Sequence, residues 1–428
     1  MRFSYAAVYQ VEAACATPLR TGGADGDMEM VLRRMDGRAF VQGASLAGAL
    51  RGYLVQGADA PLTGALFGTQ DQAGHLTVSD ALFDTEAARA VRPRLRIDGA
   101  TGTAARDGQG RGGKFDAAHM EAGSRLSFSL VWQGLPEQKG ELDALERLLG
   151  AMDAGLIQLG AQKSNGFGRL ALSVRRRLFD LTVPAQRRAW LADDWAGEPL
   201  DLPAAEDVRR VRFTVKGAVG GILVKGAPKV DREGGRTKTY VSNLEEGGRA
   251  LVPGSSVKGA VRARTAYIAK ILGLAEDTVD RYFGRVAARE DQSLPGQVFF
   301  EDGILSGHRQ RICRIRIDRF TGGVQRQGLF TEEPVSSALE FHITAPEEPV
   351  LCALLVYALR DLGLGLYTLG SGWAIGRGRV AVERIEISAP GGRRADLRFD
   401  GRGGLSREDP EDLLGTWLRT LEEVRHES

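Results

Sequence analysis

The sequence predicts an α+β protein that consists of two tandem ferredoxin-like modules. Three observations support this fold class. The chain has 428 residues, a set of sequence blocks occurs twice in the same order, and each set alternates strand-like with helix-like segments. At this length two or three domains are expected, each with enough residues for its own hydrophobic core.

The repeated blocks are the most informative feature of the sequence. FVQGASLAGALRG at 40–52 matches LVPGSSVKGAVRA at 251–263, an offset of 211 residues (251 − 40). LFG at 66–68 follows in the first copy, and YFG at 282–284 follows in the second. Matched blocks that keep one order along the chain indicate an internal duplication.

Three more pairs of blocks complete the two halves. They are LTVSDALF at 76–83 with VFFEDGIL at 298–305, RLRID at 94–98 with RIRID at 314–318, and LGAQKSNGFGRLAL at 159–172 with LGSGWAIGRGRVAV at 369–382. Between the halves, WLADDWAGEPLDLPAAED at 190–207 has the Pro and acidic content of an exposed linker. We therefore predict a first module at 1–203 and a second at 204–428.

Each half predicts the same order of elements. Alternating apolar residues predict an opening strand, and the Gly-x-Ser turn predicts a helix whose free amides are capped by Ser45 or Ser256. Strands at 126–132 and 339–344 and helices at 141–155 and 350–363 follow. A strand, a helix, hairpins, a second helix and a closing strand are the order of a ferredoxin-like sheet covered by two helices.

The composition restricts the possible partners and compartment. Lys plus Arg number 57 against 55 for Asp plus Glu, so any basic surface must be local. Cys15, Cys313 and Cys352 lie far apart among apolar or strand-like residues, which predicts buried free thiols in a reducing cytoplasm. Neither a signal peptide nor an apolar run of about 18 residues is recognisable, so we expect a cytoplasmic protein without a membrane span.

Two kinds of glycine-rich element predict contacts with phosphate. Amides at a helix start attract anions, and the GFGRL and GRGRV segments allow close approach of another backbone. A nucleotide-hydrolase phosphate loop is excluded, because the Gly-Lys-Ser/Thr ending is absent. In the alternative interpretation, the glycines only permit tight turns. The predicted phosphate-contacting residues are Gly43, Ser45, Arg51, Lys163 and Arg169 in the first half, and Gly254, Ser255, Ser256, Lys258, Arg262, Arg377 and Arg379 in the second.

These motifs resemble a known family. LVPGSSVKGAVR, the aromatic-Phe-Gly that follows it, RIRIDRFTGGVQRQGLF and the C-terminal Gly-x-Gly loop are similar to the RAMP superfamily of CRISPR systems. The pair of modules resembles the fused backbone subunits of type III effector complexes, of the III-D type. This resemblance implies two RRM-like RAMP modules that bind guide RNA, meet complementary target RNA and contact other RAMP subunits.

The resemblance also implies a β-hairpin thumb in each module. By position, the thumbs are the Gly- and Arg-rich stretches at 94–115 and 314–330. Phe115, Leu329 and Phe330 are the residues that the resemblance implies as wedges between bases. Since these stretches contain few apolar residues, a disordered surface loop is the alternative.

Catalytic members of the family carry an Asp on the loop before the Gly-Ser turn. Asp27, which lies 16 residues ahead of Gly43 (43 − 27), fits this pattern. The resemblance therefore implies an RNA-guided endoribonuclease that cuts target RNA by 2′-hydroxyl attack. Asp27 would deprotonate the hydroxyl or hold a divalent cation, Mg²⁺ by preference. The carboxylates that could share this cation are Asp25, Glu29 and Asp36.

The second half departs from this pattern. The same spacing falls on Lys238, whereas alignment of LRTGGADGD with LVKGAPKVD puts Asp231 opposite Asp27, with seven residues inserted after it (211 − 204). The second catalytic site, with Asp231, is thus either shifted or inactive. The first half departs too, because it has QGAS at 42–45 and Ala47 in place of the Lys, which weakens one phosphate contact.

Two other functions remain open at this stage. One is a non-catalytic, structural RNA-binding backbone subunit, and the other is a guide-RNA-processing endoribonuclease of the same superfamily. The five histidines have no metal-ligand spacing, so we expect no structural zinc.

Overall fold

The computed structural model describes residues 3–22, 32–57, 59–98, 103–106, 113–205, 207, 209–233, 236–285 and 293–427. The chain has 28% helix and 39% strand, which confirms the coarse prediction of a mixed α and β protein. It divides into two compact units. Unit 1 consists of Met1–Val91, Phe115–Lys163 and Phe167–Asp207, and unit 2 of Arg92–Lys114, Ser164–Gly166 and Val208–Ser428. The predicted boundary at residue 204 stays a prediction.

The first half of the sequence forms nine strands and four α-helices within its described residues. The strands are β1 Tyr5–Cys15, β2 Phe40–Val41, β3 Leu76–Val78, β4 Ala81–Phe83, β5 Arg89–Leu95, β6 Lys114–Met120, β7 Arg125–Gly134, β8 Leu170–Asp180 and β9 Glu198–Leu200. The helices are α1 Gly43–Gln56, α2 Ala60–Phe67, α3 Gly140–Asp153 and α4 Pro184–Leu191.

Unit 1 is built on a sheet with the strand order β2-β4-β7-β1-β8-β9, in which β3 also pairs with β7. The central strand β1 runs antiparallel to both neighbours, and Val8 lies opposite Val131 and Arg177. Alternate residues of β1 point to one face, where Tyr9 and Val11 meet the apolar sides of α1 and α3. This periodicity explains why the sequence predicted these elements well.

In the part of the chain that the structure describes, apolar side chains cover the other face of β1 at its beginning. Ala6 and Val8 pack with Phe179 there, and Trp190 and Trp195 close over them. The two indole rings stack with centroids 5.6 Å apart. Within the predicted exposed linker at 190–207, residues 191–194 are exposed, whereas Trp190 and Trp195 are half-buried because their rings cover apolar surface of the sheet.

The second half contains the remaining strands and helices. Its strands are β10 Arg210–Ile222, β11 Lys225–Glu233, β12 Arg236–Asn243, β13 Glu245–Glu246, β14 Arg249–Val252, β15 Phe299–Phe300, β16 Gly303–Leu305, β17 His308–Arg309, β18 Ile312–Ile317, β19 Val324–Glu333, β20 Val335–Pro346, β21 Val380–Ser388, β22 Arg394–Phe399 and β23 Leu405–Glu408. Its helices are α5 Gly254–Ile271, α6 Thr278–Phe283, α7 Pro349–Gly363 and α8 Leu413–Glu427.

Unit 2 repeats the central arrangement of unit 1. Its main sheet has the order β15-β20-β10-β21-β22-β23, with β10 between two antiparallel neighbours. Residues of α5, α7 and α8 join the strands in one core, where Phe213 packs near Trp417. Two smaller sheets, β11-β12-β19-β18 and β13-β14-β16, flank it. The β18–β19 hairpin belongs to the first of these.

The cysteines differ in their surroundings. Cys15 and Cys352 are buried, and burial raises the pKa of each thiol to about 12. The prediction of a buried thiol is wrong for Cys313, which is exposed. Its strand, β18, lies in a hairpin sheet outside the main core, so the strand-like flanking residues do not imply burial there.

Candidate nucleic-acid interface

Both Gly-x-Ser turns form the first turn of a helix that is held by a strand. Gly43 N donates a hydrogen bond to Asp80 Oδ1 at 2.9 Å, and Gly254 N donates to Asp302 Oδ1 at 2.7 Å. The two aspartates occupy the same position in the repeated blocks LTVSDALF and VFFEDGIL. Glycine is required here, since a Cβ on Gly254 would lie 2.1 Å from the carbonyl oxygen of Phe300.

The predicted capping by Ser45 and Ser256 is wrong. The N-cap residues are Gln42 and Pro253, and no side chain caps either helix from that position. Each serine is the third residue of its helix, and its amide donates to the N-cap carbonyl, at 2.9 and 2.8 Å. Ser45 is exposed, while Ser255 and Ser256 are half-buried. The sequence signal that was missed is the repeated Asp, Asp80 or Asp302. It stands just before β4 or β16 and accepts the hydrogen bond of the first helical amide.

Lys258 lies on the first turns of α5 beside Ser164. Its Nζ donates to Ser164 Oγ at 2.9 Å. Burial, together with the charges of Arg262 and Arg94, lowers the pKa of Lys258 to about 8. Lys163, which precedes Ser164, also has a lowered pKa because of burial. The amine of Lys258 therefore loses its charge as the pH rises through about 8.

We expect RNA affinity to fall several-fold as the pH rises from 7 to 9. Below its folded pKa of about 8, Lys258 is an ammonium that attracts phosphate, and above this value it becomes neutral. Filter binding across this range measures the effect. Lys258→Arg keeps the charge and should flatten the profile, so identical profiles for this variant and the wild type would exclude Lys258 as the titrating group.

Arg262 joins α5 to the turn that ends α6. Its Nη1 donates to the carbonyl of Gly284 at 2.9 Å, and its Nη2 lies 2.5 Å from Asp280 Oδ1. Gly284 belongs to the repeated YFG block and has φ +86°, which favours glycine. Arg51, the matched residue of the first half, is exposed. Arg262 thus has a structural role in addition to its predicted RNA contact.

The two Gly-rich closing segments have the same backbone conformation. Leu159 N donates to the carbonyl of Gly168 at 2.8 Å, and Leu369 N donates to that of Gly378 at 2.9 Å. Arg169 and Arg379 follow these glycines, and each side chain lies beside a positive-φ glycine that follows α3 or α7, Gly155 or Gly365. Both guanidinium groups therefore stand at equivalent places.

Arg377, which was predicted to contact phosphate, is engaged in an ion pair within the protein. It is buried, and its Nη1 donates to Glu332 Oε2 at 2.7 Å. Arg314 binds the same carboxylate, with Nε at 3.0 Å. Burial raises the pKa of Glu332, but the hydrogen bonds and charges of the two arginines outweigh it, so the net shift is downward. The triad ties the Gly-rich loop to the β18–β19 hairpin.

The β18–β19 hairpin exposes apolar side chains among arginines. Leu329 is 65% exposed and Phe330 38% exposed, and the guanidinium of Arg316 lies 5.5 Å from the ring centre of Phe330. Phe320, which the sequence analysis did not single out, is 98% exposed between the two strands. Phe115 is 38% exposed at the start of β6. Exposed rings of this kind suit stacking on bases.

The predicted catalytic Asp27 lies outside the described residues, and so do two of the carboxylates predicted to share its cation, Asp25 and Glu29. Asp36 is exposed, and a hydrogen bond from the amide of Arg38 lowers the pKa of its carboxyl. Asp231 lies on β11, and its Oδ2 is 2.7 Å from Arg311 Nη1.

A polar depression of about 660 Å³ opens on the sheet of unit 1, beyond the part covered by α4. Glu12 of β1 and Arg175 of β8 line it together with Asp80, the residue that holds the amide of Gly43. Hydroxyl groups of β7 and β8, those of Ser127, Ser129 and Ser173, also line it. The sequence pattern did not indicate this surface, because serines on the outer face of a strand carry no specific signal.

Within the described part of the chain, no group of three or more His, Cys, Asp or Glu side chains is arranged to hold a metal ion. The same residues contain no helix with the length and apolar character needed to cross a membrane.

The structure defines a tandem protein in which each half has an Asp-anchored helix start and a glycine-rich closing loop. A family model described as the RAMP superfamily matches residues 12–171 and 214–381. The chain belongs to the RAMP superfamily. Among solved structures, it is similar to a chain in a cryo-EM structure of the type III-B Cmr-beta bound to cognate target RNA. The identity is 11% and the TM-score 0.33, over 41% of this chain and 61% of that chain, which is less than two thirds of its length. A search of the curated proteins found no match.

Proposed function

We propose that this chain is an RNA-binding backbone subunit of a type III CRISPR ribonucleoprotein. Its two halves are ferredoxin-like RAMP modules that bind guide RNA and meet complementary target RNA beside other RAMP subunits in the cytoplasm. The observation that carries the proposal is the family match over both tandem regions, each of which contains the same helix start held by an Asp.

Guide-RNA phosphates lie against the helix starts and the closing loops. In each half an Asp already holds the first helical amide, and the amide of the third residue donates to the N-cap carbonyl, so the phosphate lies beside the helix start, where the positive end of the helix dipole still attracts an anion. Lys258 on the first turns of α5 supplies a cation in the second module, and Arg169 and Arg379 supply equivalent charges at the two loops. The formal charge of the whole chain is only +2, so this local arrangement is what attracts RNA.

The hairpins act as thumbs that separate bases. An exposed apolar ring on a strand flanked by arginines can enter between two stacked bases while the arginines bind the backbone. In the second module, the exposed apolar side chains are Phe320, in the turn between the two strands, and Leu329 and Phe330 on β19, and in the first module Phe115 on β6 is exposed as well. The buried Glu332 with its two arginines fixes the direction of the second thumb.

Target RNA is cut in the first module. Asp27 deprotonates the 2′-hydroxyl or holds a Mg²⁺ ion that relieves the charge on the phosphate. In the second module, the guanidinium of Arg311 neutralises the matched Asp231, and this ion pair favours a module that binds without cutting.

Replacement of Lys258 by Ala should weaken guide-RNA binding uniformly across sequences. The loss of one phosphate contact lowers the slope of log affinity against log salt by about 1. Electrophoretic shifts of the isolated chain at several salt concentrations measure this slope. Lys270→Ala, in the last turn of the same helix, is the matched control, and its slope should equal that of the wild type. Equal slopes for all three proteins would contradict the phosphate site.

A further inference from the structure

The amine of Lys258 has a different partner from that of Lys216, another lysine of unit 2. Lys216 Nζ lies 2.9 Å from Glu386 Oε2, so a carboxylate stabilises its charge. In the described part of the chain, Lys258 forms no ion pair. Its Nζ instead donates to the neutral hydroxyl of Ser164 at 2.9 Å. An ammonium at this position is therefore stabilised by a hydrogen bond without a counter-charge.

The other surroundings of Lys258 also favour the neutral amine. A Cβ built on Gly296 would lie 3.0 Å from Lys258 Nζ, so the amine lies against the backbone there. The charges that act on it come from Arg262, one turn further along α5, and from Arg94 of β5, and both are positive. Loss of water and like charges each destabilise an ammonium, which explains why the pKa of Lys258 falls to about 8.

A neutral amine is a nucleophile, whereas an ammonium is not. At pH 7, an amine with a pKa of about 8 is neutral in about one molecule in ten, against about one in 2,500 for a lysine with the ordinary pKa of about 10.4. The Lys258 side chain is half-buried, which favours a small reagent over an enzyme that must enclose the whole side chain. The charges of Arg262 and Arg94 attract a reagent that is an anion.

We propose that Lys258 is a modification site at which small acyl phosphates acylate the free chain. The neutral amine attacks the carbonyl carbon of the acyl phosphate, and a C–N bond forms. The C–O bond to phosphate breaks, phosphate leaves with the electron pair, and the nitrogen gives one proton to the solvent. The product is an uncharged amide, which keeps one N–H for the Ser164 hydroxyl and costs less to bury than an ammonium.

Acylation removes a positive charge beside the helix start of α5 and so weakens RNA binding by the second half. This consequence rests on the proposed function, because it assumes that Lys258 contacts a phosphate. In the repeat, Ala47 takes the place of Lys258 (258 − 211), so the first half has no amine at this position. RNA and the acyl donor therefore compete for a single amine, and a chain that has already bound RNA is protected.

The test is acetylation of the isolated chain by acetyl phosphate at pH 7, followed over time by mass spectrometry of its peptides. We expect Lys258 to react at least about tenfold faster than Lys270, which is exposed on the same helix, and than Lys216, whose amine is paired with Glu386. The expected ratio is below the ratio of neutral amines, because burial slows access and a less basic amine is a weaker nucleophile. Acetylation of Lys258 at the rate of these two lysines, or more slowly, would overturn the proposal.

Arg94→Gln gives a second measurement with acetic anhydride, an uncharged acyl donor that the arginines do not attract. Across pH 7 to 10, the rate at Lys258 of the wild type should reach half its maximum near pH 8. Loss of a like charge raises the pKa of Lys258, so the variant should react several-fold more slowly at pH 7 and at the wild-type rate at pH 10. A wild-type midpoint above pH 10 would mean that the amine is not activated, and would overturn the site without any variant.

Guide RNA distinguishes failure of this site from failure of the proposed function. Guide bound before the reagent should lower acetylation of Lys258 at least several-fold and leave that of Lys270 unchanged. The acetylated chain should have a slope of log affinity against log salt that is lower by about 1. Fast acetylation without protection would support the modification site and refute the phosphate contact, whereas slow acetylation of the free chain would refute the site whatever the effect of RNA.

Discussion

Replacement of Arg92 by Ala should lower the free energy of unfolding by about 3–5 kcal/mol, because it leaves two carboxylates without their counter-charge. The Arg92 side chain is 2% exposed. Its Nη2 lies 2.7 Å from Glu246 Oε2 and 2.6 Å from Asp302 Oδ2, and its Nη1 lies 3.1 Å from Asp302 Oδ1. Asp302 also holds the amide of Gly254, so the loss should extend to the start of α5.

Denaturation in urea measures this loss, and amide hydrogen exchange locates it in unit 2. Arg398→Ala is the matched control. Arg398 also pairs with a carboxylate, that of Glu408, but the two side chains are 56% and 65% exposed, and such pairs contribute at most about 1 kcal/mol. Equal losses for the two variants would mean that the buried position of Arg92 has no energetic consequence.

The elements that could be predicted from the sequence are those with a strong local pattern. The helix predicted at 141–155 is Gly140–Asp153, and the one predicted at 350–363 is Pro349–Gly363. Strands predicted at 126–132 and 339–344 lie within Arg125–Gly134 and Val335–Pro346. In each of these segments the apolar residues recur at the period of the element, so neighbouring residues alone determine the pattern.

The contacts that escaped prediction join residues far apart in the chain. Asp302 holds Gly254 from 48 positions away, and Arg92 reaches Asp302 from 210 positions away. No local periodicity encodes such pairs. The repeat did contain a usable signal, because Asp80 and Asp302 occupy the same place in their blocks. An acidic residue that persists through duplication just before a strand is therefore a signal of a conserved structural contact.

The differences between the two halves were partly readable as well. The first half has Gln-Gly-Ala-Ser where the second has Pro-Gly-Ser-Ser, and this difference alone predicts a weaker phosphate contact in the first half. The change of Lys163 and Asn165 to Trp373 and Ile375 could not be interpreted in the same way, because only the structure shows that one loop is packed and the other exposed. The effect of a substitution between repeats can therefore be assigned only when the surroundings of both copies are known.

Replacement of Asp27 by Ala should slow cleavage of complementary target RNA by about 10²–10⁴-fold, the usual contribution of a general base in proton transfer. The assay uses the reconstituted complex, with single-turnover kinetics and the cut positions read on sequencing gels. Guide-RNA binding should be unchanged, since the phosphate contacts lie on other elements. If Asp27 holds Mg²⁺, removal of the ion with a chelator should have the same effect on the wild type.

Two further variants control for charge and for the second module. Asp71→Ala removes an exposed carboxylate of the same half and should leave every cut intact. Asp231→Ala should also leave them intact, because Arg311 already neutralises that carboxylate. Unchanged cleavage by the Asp27 variant, with guide bound, would establish the non-catalytic backbone subunit instead. If the isolated chain cut precursor guide RNA at a fixed position, the guide-processing alternative would replace both, because that reaction needs neither target nor partner subunits.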